Sequence, residues 1–97
     1  MRAAQLLTEA ARLVGDDREA QHGPKRRNHE NIAELWNAYL RIRREPAAPL
    51  TALDVAHMMA ALKLARTQLG GFNIDDYRDM AGYAGCAAEM AAEGEAP

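Results

Sequence analysis

Apolar residues recur at helical spacing in four stretches of this chain, with polar or Gly/Pro breaks between them. Leu6, Leu7, Ala10, Leu13 and Val14 predict a first helix over residues 1–15, ended by Gly15 as a C-terminal cap. A short helical turn is expected after Asp16 or Asp17, before the firm break at Gly23-Pro24. Ile32, Leu35, Trp36, Tyr39 and Leu40 form the clearest amphipathic stripe and predict a helix over 28–44, with Asn28 as its N-cap. Arg41, Arg43 and Arg44 suit its C-terminal end, where the helix dipole favours cations, and "EPAAP" stops it.

The third helix, over 52–69, has the best-marked start. Thr51-Ala52-Leu53-Asp54 reads as a capping box with Asp in place of Glu, and Leu50 and Val55 suit the accompanying staple. Leu53, Val55, Met58, Met59, Leu62, Ala65 and Leu69 supply its apolar face, and Gly70-Gly71 ends it. The fourth helix runs over 75–93, and residues 94–97 are expected to fray. No strand pattern intervenes. The expected fold is therefore all-α: one compact four-helix domain over 1–97, mostly antiparallel.

Composition adds one expectation about assembly. The chain has 97 residues, 48% of them apolar, yet only one Trp, one Phe and three Tyr. Alanine is the commonest residue of that apolar fraction and buries little area per residue, so oligomerisation is expected to complete the core. The single Cys86 rules out a disulfide within the chain and reads as a small buried residue in an Ala/Gly run. No segment has the roughly 20 apolar residues of a membrane span, and the first residues lack the apolar run of a leader. A cytoplasmic protein without a membrane partner is expected.

Net charge is −2, which gives no global signature for DNA or RNA. The distribution is uneven. Lys25, Arg26, Arg27, Arg41, Arg43 and Arg44 outnumber Glu30 and Glu34, whereas from Asp75 onward acids face only Arg78. Within "IDDYRDMAGYA", Asp76 and Asp79 share a helix face, and their repulsion asks for a cation or a basic group between them. Lys63 and Arg66 lie just across the Gly-Gly-Phe-Asn-Ile connector. The four side chains are expected to cluster, either as an ion-pair network or as an anion site whose carboxylates grip ribose hydroxyls. Lys25, Arg26 and Arg27 precede the expected second helix, where free N–H groups and arginines suit a pyrophosphate. Tyr77 and Trp36 are candidates to stack on a base. His22, His29 and His57 do not fall at zinc spacing. Gly82 and Gly85 inside a helix suggest close approach by helix 1, helix 3 or a second chain.

Three quoted stretches, "DREAQHGPKRRNHENIAELWNAYL", "LTALDVAHMMAALKLAR" and "DDYRDMAGYAG", resemble a small domain of uncharacterised function found in phages and prophages. The resemblance covers about residues 16–88. That domain is similar in turn to the all-α nucleotide pyrophosphatases of the MazG type, which hold Mg²⁺ on a nucleoside triphosphate with E-E-x-x-E and E-x-x-D helices. Asp76-x-x-Asp79 resembles the second motif; the first is absent, since helix 2 offers only Glu30 and Glu34. The resemblance implies a pocket without its full metal set. The leading expectation is a non-catalytic phage sponge, without cofactor, for an anionic nucleotide-derived immune signal such as a cyclic ADP-ribose type molecule, acting in the infected bacterium. The alternatives are a Mg²⁺-dependent pyrophosphatase using Asp76, Asp79, Glu30 and Glu34, and a helical protein-interaction module.

Overall fold

In the computed structural model, which describes residues 1–17 and 24–94, the apolar stripes become helices α1 (Ala3–Arg12), α2 (Lys25–Ile42), α3 (Ala52–Arg66) and α4 (Ile74–Ala92). No strand occurs among the described residues, and the architecture is compact and all-α. The expected frayed tail beyond residue 94 lies outside the described residues, as does the Gly23 half of the Gly-Pro break.

Helix α3 stands in the middle, with α2 and α4 packed against it. Both packings are antiparallel. Trp36 Nε1 on α2 donates to the Met58 carbonyl at 2.7 Å, and one turn later Tyr39 Oη reaches back to Asp54. Lys63 on α3 pairs with Asp79 on α4, whereas Leu53 and Ala56, earlier on α3, meet Ala87 and Met90. The buried apolar residues are Ile32, Leu53, Ala56, Met58, Ala65 and Ala87, and half of them are alanines. So thin a core leaves much of the hairpin's definition to polar contacts.

The main polar contact lies where α2 ends and α3 begins. Thr51 and Asp54 form the expected capping box: the Thr51 hydroxyl accepts from the Asp54 N–H at 3.2 Å, and Asp54 Oδ2 accepts from the Thr51 N–H at 2.9 Å. Asp54 is wholly buried, at 0% exposure. Arg43 Nη1 donates to the same Oδ2 at 2.7 Å, and Arg43 Nη2 donates to the carbonyls of Pro46, at 3.1 Å, and Ala48. One arginine thus ties the loop carbonyls to the first turn of α3.

Several boundaries differ from expectation. Helix α2 begins at Lys25, not at Asn28: Pro24 takes the N-cap position, Asn28 donates its N–H to the Pro24 carbonyl, and its side chain is buried. Proline before a first turn supplies the fixed φ that outcompetes an asparagine cap three residues later. Gly15 does not end helix α1. It lacks the left-handed conformation of a capping glycine, and the chain runs on through π-helical Leu13–Asp17. Helix α3 stops at Arg66, where Thr67 and Gln68 tighten into i→i−3 bonds to Leu64 and Ala65; Gly70, at φ 71°, then turns the chain. Asn73 caps α4, its Oδ1 accepting from the Asp75 N–H at 3.0 Å. A Cβ at Gly82 or Gly85 would meet nothing within 4 Å, so neither glycine marks a close approach by helix 1 or helix 3. Cys86 is exposed rather than buried. Leu50 and Val55, the expected staple pair, are each about half exposed.

Breaking a buried ion pair by removing one partner strands the other charge, at a cost of about 3–5 kcal/mol. Asp54→Ala is therefore expected to lower stability by that amount in urea denaturation, and a change under about 1 kcal/mol would contradict the central role of this contact.

Candidate functional site

Most of the sequence-predicted residues lie at the end of the hairpins opposite Asp54, where α2 begins, α3 ends and α4 begins. Two helices begin at this end, each packed on α3 and each with the positive end of its dipole there. Helix α4 carries Asp75 and Asp76 in its first turn, the usual compensation. Helix α2 carries no acid in its first turn, which Lys25, Arg26 and Arg27 fill, and its N-cap Pro24 makes no side-chain capping bond. The three cations thus belong to the helix itself rather than to a preceding loop. Lys25 and Arg26 line an open pocket of about 460 Å³ with His29, Glu30 and Ala33.

Helix register places the rest. Lys63 Nζ meets Asp79 Oδ2 at 2.8 Å, with the lysine largely covered and the aspartate half exposed. One turn further, the same antiparallel register sets Arg66 level with Asp76. Two turns from the Trp36–Met58 bond, the α2–α3 register sets Asn28 level with Arg66. The expected four-residue cluster is thus half formed as an ion pair. Asp76 is 3% exposed and Asn28 6%, and Arg66 is partly buried. Asn28 Oδ1 and Arg66 Nε are buried without a hydrogen-bond partner, as is Arg43 Nε at the other end of the hairpin. Buried polar atoms are nearly always paired, by protein, water or ligand, so two orphans at one level mark this end of the fold.

The remaining candidates make other contacts. Trp36 commits its indole N–H to the α2–α3 contact. Tyr77, half exposed, stacks on the exposed Phe72 with centroids 6.1 Å apart and planes at 28°. Asp75 makes an exposed 3.4 Å pair with Arg78. Glu30 lines the basic pocket, whereas Glu34 lines a separate groove of about 370 Å³ with Asn31, Leu35, Leu64, Ala65 and Gln68. Among the described residues, no three of His, Cys, Asp and Glu stand close enough to share a metal ion. The sequence reading of Glu30, Glu34, Asp76 and Asp79 as one ligand set therefore has no matching cluster.

A second polar centre was not anticipated. Tyr39 Oη donates to Asp54 Oδ1 at 2.6 Å and contacts His57 Nδ1 at 2.9 Å. Tyr39, Arg43, Arg44 and His57 line a pocket of about 420 Å³ with Ile42, Leu53 and Ala91. The sequence pattern places Tyr39 in the apolar stripe, Arg43 at the negative end of its helix and Asp54 in a cap. Their common face was visible only in the spacing Tyr39/Arg43 on one helix and Asp54/His57 on the next. Burial alone would raise the Asp54 carboxyl, but the hydrogen bonds from Tyr39 and Thr51 and the Arg43 charge outweigh it and hold the group below its ordinary value. Burial, then the hydrogen bond to Asp54 and its charge, push the Tyr39 phenol up to about 12.

Comparison with known proteins places this geometry in a family context. A family described as a domain of unknown function, DUF6378, matches residues 5–91. The chain is 38% identical over 81 residues to the Gene 55 protein of Mycobacterium phage D29, covering 84% of this chain and 50% of that protein. It is 40% identical over 85 residues to the Gene 55 protein of Mycobacterium phage L5, covering 88% and 51%. The chain thus spans about half the length of the curated relatives it matches. No solved structure matches it. Among the described residues no helix is long and apolar enough to cross a membrane.

The raised Tyr39 phenol fixes a sign. A group that holds its proton more tightly when folded contributes stability below its unfolded pKa of about 10 and loses it as pH rises through the folded value. Stability is thus expected to fall between pH 10 and about 12, and ultraviolet titration should show one tyrosine ionising late, a step absent in Tyr39→Phe. Asp54 gives the opposite edge, its contribution disappearing as pH falls through its depressed carboxyl.

Proposed function

We propose a function for a chain that belongs to the DUF6378 family: it binds an anionic nucleotide-derived ligand without cleaving it, and so sequesters a signal inside a phage-infected bacterium. The observation that carries this reading is Arg66. Its Nε is buried without a partner, level with the buried Asp76 and Asn28, and one turn from the Lys63–Asp79 pair. A guanidinium held in this way suits a phosphate, which it grips through two N–H groups at once.

The surrounding chemistry supports the same class of ligand. Phosphates would draw on Lys25, Arg26, Arg27, Lys63 and Arg66, aided by the positive end of α2. Asp76 would accept from ribose hydroxyls, and the Tyr77–Phe72 pair offers an exposed aromatic face to a base. Asp79, already neutralised by Lys63, would orient that lysine. Hydrolysis of the MazG type would need Asp79 to leave Lys63 and to converge with Glu30 and Glu34 on a metal. A second copy of the chain belongs to the reading too. Helix α1 buries none of its residues, and Leu6, Leu7, Leu13 and Val14 all stand exposed.

The test is depletion. The protein is mixed with nucleotides and ADP-ribose derivatives, with and without Mg²⁺; free ligand is measured, and the protein is then denatured. One ligand should vanish from solution and return intact. Arg66→Ala should weaken capture about tenfold or more, the loss expected for a hydrogen-bonded charge contact. Cleaved products, or no depletion of any ligand, would overturn the proposal.

A further inference from the structure

The Tyr39–His57 contact carries a proton count. A phenol has one hydrogen to donate. Tyr39 spends it on Asp54 Oδ1 at 2.6 Å, because that carboxylate is ionised beside Arg43 and only accepts. Towards His57 the phenol oxygen must therefore accept, and His57 Nδ1 must carry the hydrogen across the 2.9 Å contact. The neutral ring then leaves Nε2 as a bare lone pair. The chain Asp54–Tyr39–His57 thus sets the tautomer of an exposed histidine on a pocket wall and leaves Nε2 as its acceptor.

The other groups of the pocket complete a recognition pattern. Arg43 spends its Nη donors on Asp54 and on loop carbonyls. Arg44 lines the same pocket and is exposed, with no acid among the lining residues. Ile42, Leu53 and Ala91 supply apolar wall. We infer that this pocket binds a small oxyanion that keeps a hydroxyl beside its charge: Arg44 takes the charge, and His57 Nε2 accepts from the hydroxyl. The site lies at the opposite end of α3 from Arg66 and does not depend on the nucleotide reading.

Hydrogen phosphate is the simplest probe and sulfate its control. At pH 8 both are dianions of similar shape, but only hydrogen phosphate carries an O–H. A site that offers a fixed acceptor rejects the analogue lacking the donor. Nitrogen-15 NMR of the imidazoles should show His57, assigned by its loss in His57→Ala, as the Nδ1–H tautomer, with Nε2 responding to phosphate. Sulfate should bind at least about tenfold more weakly. Arg44→Ala should weaken the phosphate response at His57 about tenfold. Equal binding of the two anions, no response at His57, or an Nε2–H tautomer in the wild-type protein would overturn the inference. The anion comparison uses the unmodified chain, so it stands even if Tyr39→Phe or Asp54 variants fail to fold.

Discussion

A carboxylate with no exposure to water constrains this molecule more than any apolar contact does. Asp54 is fully buried, and an unpaired charge in that position would cost several kcal/mol out of a total stability of about 5–15. Only one arrangement of the α2–α3 hairpin supplies its partners: Thr51 from the cap, Tyr39 from α2, and Arg43 reaching past the loop carbonyls. The small apolar core, half of it alanine, tolerates sliding of one helix on another far better than this charge does. The lock therefore sets the α2–α3 register. Through that register it also decides which residues stand level at the far end of the hairpin.

The two ends differ in how far their buried polar groups are matched. At the Asp54 end each oxygen of the carboxylate is satisfied within the chain, and only Arg43 Nε is buried without a partner. At the Arg66 end Asn28 Oδ1 and Arg66 Nε are buried and unmatched, and the first turn of α2 sets three cations against its own dipole. Each orphaned group costs on the order of 1–3 kcal/mol. A protein with so small a core bears such a cost more plausibly where a bound anion offsets it than where nothing does. Two orphans on facing helices, together with the three cations of α2, make the Arg66 end the natural place for a ligand.

The sequence showed the helices and much of the Arg66 end. Lys63 with Arg66, and Asp76 with Asp79, each lie one turn apart on either side of a short connector, so local geometry alone brings the four near one another. The Thr51–Asp54 box was legible for the same reason. Asn28 was misplaced because two local signals competed, and the Pro24 backbone prevailed over the asparagine side chain. Gly82, Gly85 and Cys86 were misjudged because small residues within a helix say nothing about which face meets a neighbour. Tyr39, Arg43 and His57 were missed as a group for a deeper reason. Their meaning lies in a partner on another helix, and periodicity reports the face of a residue but not what stands opposite.

Asp54 divides its two duties between its two oxygens. Oδ2 takes the structural contacts, from Arg43, from the Thr51 N–H and from the Thr51 hydroxyl at 3.1 Å. Oδ1 takes only Tyr39, and through it the orientation of His57. Loop and cap would hold with Oδ1 turned to any other donor. The tautomer of His57 would not, because a phenol that donated to the imidazole would leave the hydrogen of that ring on Nε2. The chemical character of the second pocket thus rests on a single proton, and the charge that folds the hairpin decides where it sits.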